Sequence, residues 1–109
     1  MYKEKEVKKV IFVMLLGLSF FASATDINCR GTVPNVMDYP SQCDGNLSFT
    51  TSGSNGKWIC PPSEKGNSIL LTAFAASKEI GVYINDQDGT ITCETMPHYT
   101  KARYVFLIQ

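Results

Sequence analysis

Apolar and polar residues alternate along residues 46–51. Leu47, Phe49 and Thr51 share one side and Asn46, Ser48 and Thr50 the other, which is the period of a half-buried β-strand. Upstream, residues 31–39 alternate more loosely around Pro34 and predict an edge or bulged strand. Turn residues at 40–45 separate the two, and the Ser-Gly-Ser-Asn-Gly run at 52–56 reads as a hairpin tip. Residues 57–60 predict a third strand, stopped by Pro61-Pro62. The period then changes. With Asn67 as the cap, the stretch "SILLTAFAASK" holds good helix formers without proline or glycine and predicts a helix of about three turns.

The apolar residues of that helix do not stay on one stripe. Leu70 and Phe74 form one face, and Ile69, Ala73 and Ala76 form another. Such a helix is covered on more than one side. Either it is a central helix with tolerated exposed alanines, or its second face meets neighbouring subunits. Beyond it, Ile80, Val82 and Ile84 alternate with Gly81 and Tyr83 in a strand, residues 91–93 suggest another, and residues 103–108, "RYVFLI", close the chain. The elements predict a mainly β domain with one short helix, an α+β class, spanning residues 25–109.

The first 24 residues stand apart. A charged segment at residues 3–9 precedes an apolar run at 10–21 and then Ala22-Ser23-Ala24, the layout of a cleavable secretory signal. The apolar run falls short of the ~20 residues a membrane span needs, so no membrane anchor is expected. The Asp-Ile-Asn-Cys29 tetrapeptide lacks the small residue that precedes a lipoprotein cysteine. The leader carries four lysines and two glutamates, which leaves six basic and eight acidic residues and a formal charge of −2. That balance argues against nucleic acid or anionic lipid as a partner.

Cys29, Cys43, Cys60 and Cys93 all follow the leader. In so short a chain bound for a secreted or periplasmic location, two disulfides are expected. Wide, unequal gaps between the cysteines disfavour zinc, and no other metal or cofactor is indicated.

Few residues suggest chemistry. The acidic stretch "NDQDGTITCE" resembles part of a calcium loop, but with Gly89 in register the first ligand position is Ile84 and the last is Thr95. Both ends fail, and Asp88-Gly89 between β-patterned segments reads instead as a hairpin turn. His98 is the single histidine, no Gly-x-Ser-x-Gly elbow is present, and no enzyme is expected. Trp58 suits either core packing beside Cys60 or a platform for a sugar ring. Tyr39, Ser52 and Lys57, near loop ends, could supply polar contacts to such a sugar.

The stretch "KWICPPSEKGNSILLTAFAASKEIGVYIND" resembles the strand, helix and strand core of the B subunits of bacterial pentameric toxins similar to pertussis and subtilase toxins. The resemblance covers about half of the chain beyond the leader. It implies a small five-stranded OB-fold-like barrel, stapled by disulfides, that forms a ring-shaped homo-oligomer, a pentamer, and binds a host or environmental glycan. It also implies an enzymatic toxic partner subunit and a helix interface built on Ile69, Leu70, Ala73 and Ala76. Cys60 and Cys93 match a bridge in that group, which leaves Cys29 with Cys43, a pair the resemblance does not supply. The alternative is a monomeric secreted inhibitor or effector that binds a protein partner through its loops.

Overall fold

The computed structural model describes residues 25–86 and 89–109; the predicted leader and Asp88 of the acidic stretch lie outside them. Strands β1 (Thr25–Asn28), β2 (Gly31–Thr32), β3 (Asn35–Asp38), β4 (Leu47–Thr50) and β5 (Ile59–Cys60) precede helix α1 (Lys65–Ala76). Strands β6 (Glu79–Asp86), β7 (Thr100–Lys101) and β8 (Tyr104–Leu107) follow it.

The eight residues of β6 organise one sheet. Ile80, Val82 and Ile84 point inward and are sealed from solvent, as their alternation predicts. Along one edge of β6 run β1, from Thr25↔Asp86 to Asn28↔Tyr83, and then β2, with Gly31↔Ile80. Across the gap between β1 and β2 the side-chain oxygen of Asn28 accepts the Val82 amide at 3.1 Å, and Val82 O accepts the Cys29 amide at 2.8 Å. β8 covers the other edge, with Val82↔Val105 and Tyr83↔Tyr104.

The second sheet runs β3-β4-β5-β7, antiparallel until the parallel β5–β7 pair. The ladders therefore form two four-stranded sheets and do not close into the expected barrel. The chain passes between sheets at Val33-Pro34, where the proline breaks the predicted 31–39 strand in two, and again at Ala102-Arg103.

Between the sheets lies the core. Phe49 and Ile59 enter it from the second sheet, Ile80, Val82 and Ile84 from the first, Leu70 and Ala73 from α1 and Met96 from the loop after β6. Both sides of β4 are covered: Ser48 and Thr50 are buried as well as Phe49, their hydroxyls engaged by Met37 O and the Asn35 amide.

Helix α1 begins earlier than predicted, with Glu64 in the capping position and Asn67 inside the first turn. Asn67 instead ties the helix to β4, because its Oδ1 accepts the Leu47 amide at 3.1 Å. Gly66, Leu70 and Ala73 form the buried stripe, spaced four and three residues apart. Close packing explains the glycine, since a Cβ on it would lie 2.7 Å from Pro61 Cβ. The predicted division of faces is thus corrected. Leu70 and Ala73 belong to the core of the single chain and cannot be the outward surface, while Ile69 packs only partly against it. Leu71 and Phe74, each about half exposed, are what the helix presents outward, together with Ala76.

Both disulfides exist, but with other partners than the resemblance implied. Cys29 joins Cys93 and Cys43 joins Cys60, with Cα separations of 5.6 and 5.0 Å. Strand pairing supplies the reason. Cys93 lies in the loop that leaves β6, and β6 lies against β1, which ends beside Cys29. Cys43 sits in the turn before β4, whose next neighbour is β5 with Cys60.

On either side of residues 87–88, which lie outside the described residues, the acidic stretch is tied together, but no hairpin partner strand follows it. Asp86 O accepts the Gly89 amide, Gly89 has φ +69°, and Asp86 Oδ1 accepts the amides of Thr90 and Ile91 at 3.0 and 3.3 Å. No strand forms at 91–93, because the Cys29–Cys93 bridge and buried Met96 hold that segment as a loop; β8 pairs with β6 instead.

Candidate functional site

Strand parity places Glu79, Gly81, Tyr83 and Asn85 on the outer face of the first sheet, opposite the core residues of β6. Register sets Tyr104 beside Tyr83 and Phe106 beside Gly81. Three rings consequently gather on this face. Tyr83 and Tyr104 stack with centroids 4.9 Å apart, and Phe106 lies 6.0 Å from Tyr83 at an interplanar angle of only 20°. Gly81 makes room for the cluster, because a Cβ there would strike the Phe106 ring. Tyr104 remains 44% and Phe106 40% exposed, an unusual amount of aromatic surface to leave in water.

Paired charges flank the rings. At one end Arg103 binds Asp26 at 3.0 Å, and at the other Arg30 binds Glu79 at 2.8 Å. These exposed pairs add at most about 1 kcal/mol each to stability. Their effect on the face is larger: it has hydrogen-bonding groups at both ends and no net charge between them. A rigid apolar slab bordered by planar polar groups is suited to a ligand that is apolar on one side and rich in hydroxyls at its rim.

The four predicted sugar contacts lie elsewhere, and Ser52 is directed away from the corner that Tyr39 and Trp58 border. Tyr39, at the end of β3, meets Tyr99 edge to face at 5.8 Å. Trp58, half-buried, is tied to the same segment: its amide donates to His98 Nδ1 at 3.2 Å and its carbonyl accepts the Tyr99 amide at 2.6 Å. Tyr39 and Trp58 thus border one corner through Tyr99. Lys57 precedes Trp58, with its carbonyl accepting the Ser54 hydroxyl. Ser52 is committed to another place, where its hydroxyl accepts the Thr32 amide at 3.1 Å.

The aromatic face went unread in the sequence although a signal was present. Tyr104 and Phe106 are two residues apart, hence on one side of a strand, and Tyr83 occupies a position where the alternation of β6 calls for a polar residue. Among the described residues, no group of three His, Cys, Asp or Glu side chains is placed to hold a metal ion, and no helix is long and apolar enough to cross a membrane. The two disulfides point to an oxidising, extracytoplasmic environment. No protein-family model matches the chain, and neither a curated protein nor a solved structure is found to be similar to it.

Proposed function

We propose that this chain is a secreted, non-enzymatic carbohydrate-binding subunit whose ligand rests on Tyr83, Tyr104 and Phe106. The observation that carries the reading is the exposed three-ring cluster bordered by two internally neutralised ion pairs. The apolar face of a pyranose would cover the rings while its hydroxyls reach the carboxylate and guanidinium groups at the rim. Since each charge has a partner, a neutral saccharide is favoured over an acidic one.

The same reading takes the subunit as one member of a ring. Leu71 and Phe74 give α1 an apolar surface suited to sister copies. In this reading the two open sheets are halves of an OB-like barrel, with β1 to β3 counted as one bent strand and β7 with β8 as another. An enzymatic partner subunit and a pentameric count rest on the resemblance to toxin B subunits alone.

Immobilised neutral and acidic oligosaccharides, probed with the disulfide-intact protein, test the binding. Neutral ligands should be retained, and Tyr104→Ala should weaken them at least about tenfold while Trp58→Ala leaves them unchanged. Loss with Trp58→Ala but not with Tyr104→Ala would move the site to the Tyr39–Trp58 corner. Absence of any binding, with a monomeric native mass, would favour a secreted inhibitor or effector directed at a protein.

A further inference from the structure

The corner around His98 contains a hydrogen bond that depends on protonation state. The Trp58 amide is the donor and His98 Nδ1 the acceptor, so the ring must be neutral with its proton on Nε2. An imidazolium carries a proton on both nitrogens and cannot accept. This contact sits at the head of the parallel β5–β7 pair, Ile59↔Thr100 and Cys60↔Lys101. The next carbonyl upstream, Pro97 O, is taken by the Thr100 hydroxyl at 2.7 Å. The His98 side chain therefore serves as an acceptor where the short ladder has run out of main-chain partners.

Its neighbour is held against a local preference. Tyr99 has φ +66°, a left-handed conformation unfavourable for a side chain with a Cβ. Bonds on both sides maintain it: the Tyr99 amide to Trp58 O, the His98 contact one residue before, and the edge-to-face packing on Tyr39. Downstream the segment is fixed more firmly, by the Ala102 amide to Cys60 O and by the disulfide from Cys60 to Cys43.

We propose that His98 is a pH-sensitive latch. When neutral it holds residues 97–99 against Trp58, and when protonated it frees that segment and the Tyr39–Tyr99 corner while both sheets stay folded. The charged and titratable groups around the corner are few. The Tyr99 ring lies 6.1 Å from that of His98 and packs on Tyr39, Lys57 adjoins Trp58, and Lys101 stands 4.0 Å from Asp44 on the turn before β4. Among the described residues no carboxylate lies within ion-pair distance of His98, so nothing holds the imidazolium in the closed position. The inference is independent of the carbohydrate reading, because it concerns the other sheet.

Amide exchange and 1H–15N spectra of the intact protein between pH 8 and 5 provide the test. The Trp58 amide resonance should shift with the same midpoint as the His98 ring protons. Protection of the Tyr99 amide, corrected for the intrinsic pH dependence of exchange, should fall about fivefold in acid, while Ile84 in β6 stays protected. His98→Asn, which can keep an acceptor oxygen near the Nδ1 position without titrating, should remain latched at both pH values. His98→Phe should be released at both. A Tyr99 protection that is flat with pH in the wild type, or that falls equally in His98→Asn, overturns the latch.

Discussion

The outer face of the first sheet and the Tyr39–Trp58 corner of the second both expose aromatic rings, yet they are held by different means. Tyr83 stands on the eight-residue β6, whose opposite side is core, and Tyr104 and Phe106 stand on β8, which pairs with β6 along all four of its residues. The corner depends on two-residue strands, a left-handed tyrosine and one histidine side chain. Regular pairing makes the first a preorganised surface, which suits binding without an ordering cost. Sparse pairing makes the second conditional, which suits a response to its surroundings.

Each region has its own disulfide, and removing the staples one at a time is the most forceful way to separate them. Cys29–Cys93 closes a span of 64 residues and anchors the loop after β6 to the first sheet; Cys43–Cys60 closes 17 within the second. Loop-closure entropy assigns about 4 kcal/mol to the former and about 3 kcal/mol to the latter. Replacing Cys29 and Cys93 by alanine should therefore lower the urea midpoint further than replacing Cys43 and Cys60. Equal losses, or the reverse order, would mean that native-state strain or residual structure outweighs chain entropy.

Helix α1 lies against β8 of one sheet and β3 of the other, and its two sides sharpen the comparison at a smaller scale. Leu70→Ala removes a side chain with no solvent exposure and should cost about 2–5 kcal/mol. Phe74→Ala, at 49% exposure, should change the stability of the single chain by no more than about 0.5 kcal/mol. If copies assemble through this helix, Phe74→Ala should also lower the native mass measured by light scattering. A mass that is monomeric before and after the change would leave Leu71 and Phe74 as surface residues without an assembly role.

How legible each region was in the sequence follows from how local its causes are. The inward set of β6 and the strand at 104–107 were read correctly because a period of two is written in consecutive residues. The class, mainly β with one helix, followed from the same signal. The predicted helix faces failed because leucine, alanine and phenylalanine surround α1 almost evenly, and only the contact of Gly66 with Pro61 reveals which stripe turns inward. Bridge partners failed because they depend on which strands lie side by side, a property of pairing between segments distant in the chain. The same holds for the candidate site. Tyr83 and Tyr104 are 21 residues apart and meet only through the β6–β8 register. Ser52 and Trp58, six residues apart, are directed to different surroundings.

Gly81 gives the finest test of the preorganised face. Its missing side chain lets the Phe106 ring settle across β6, beside Tyr83. Gly81→Ala places a methyl group under that ring and forces Phe106 to another rotamer, at a cost of about 1–3 kcal/mol. Phe106→Ala alone should cost less, since its ring is already 40% exposed and forfeits only part of its burial. The double variant discriminates between mechanisms. If collision with the ring is the whole effect, removing the ring should recover most of what Gly81→Ala loses, and the two changes should be strongly non-additive. Additive losses would show that Gly81 is needed for its backbone rather than for the space it leaves, and the aromatic cluster would then owe its arrangement to strand register alone.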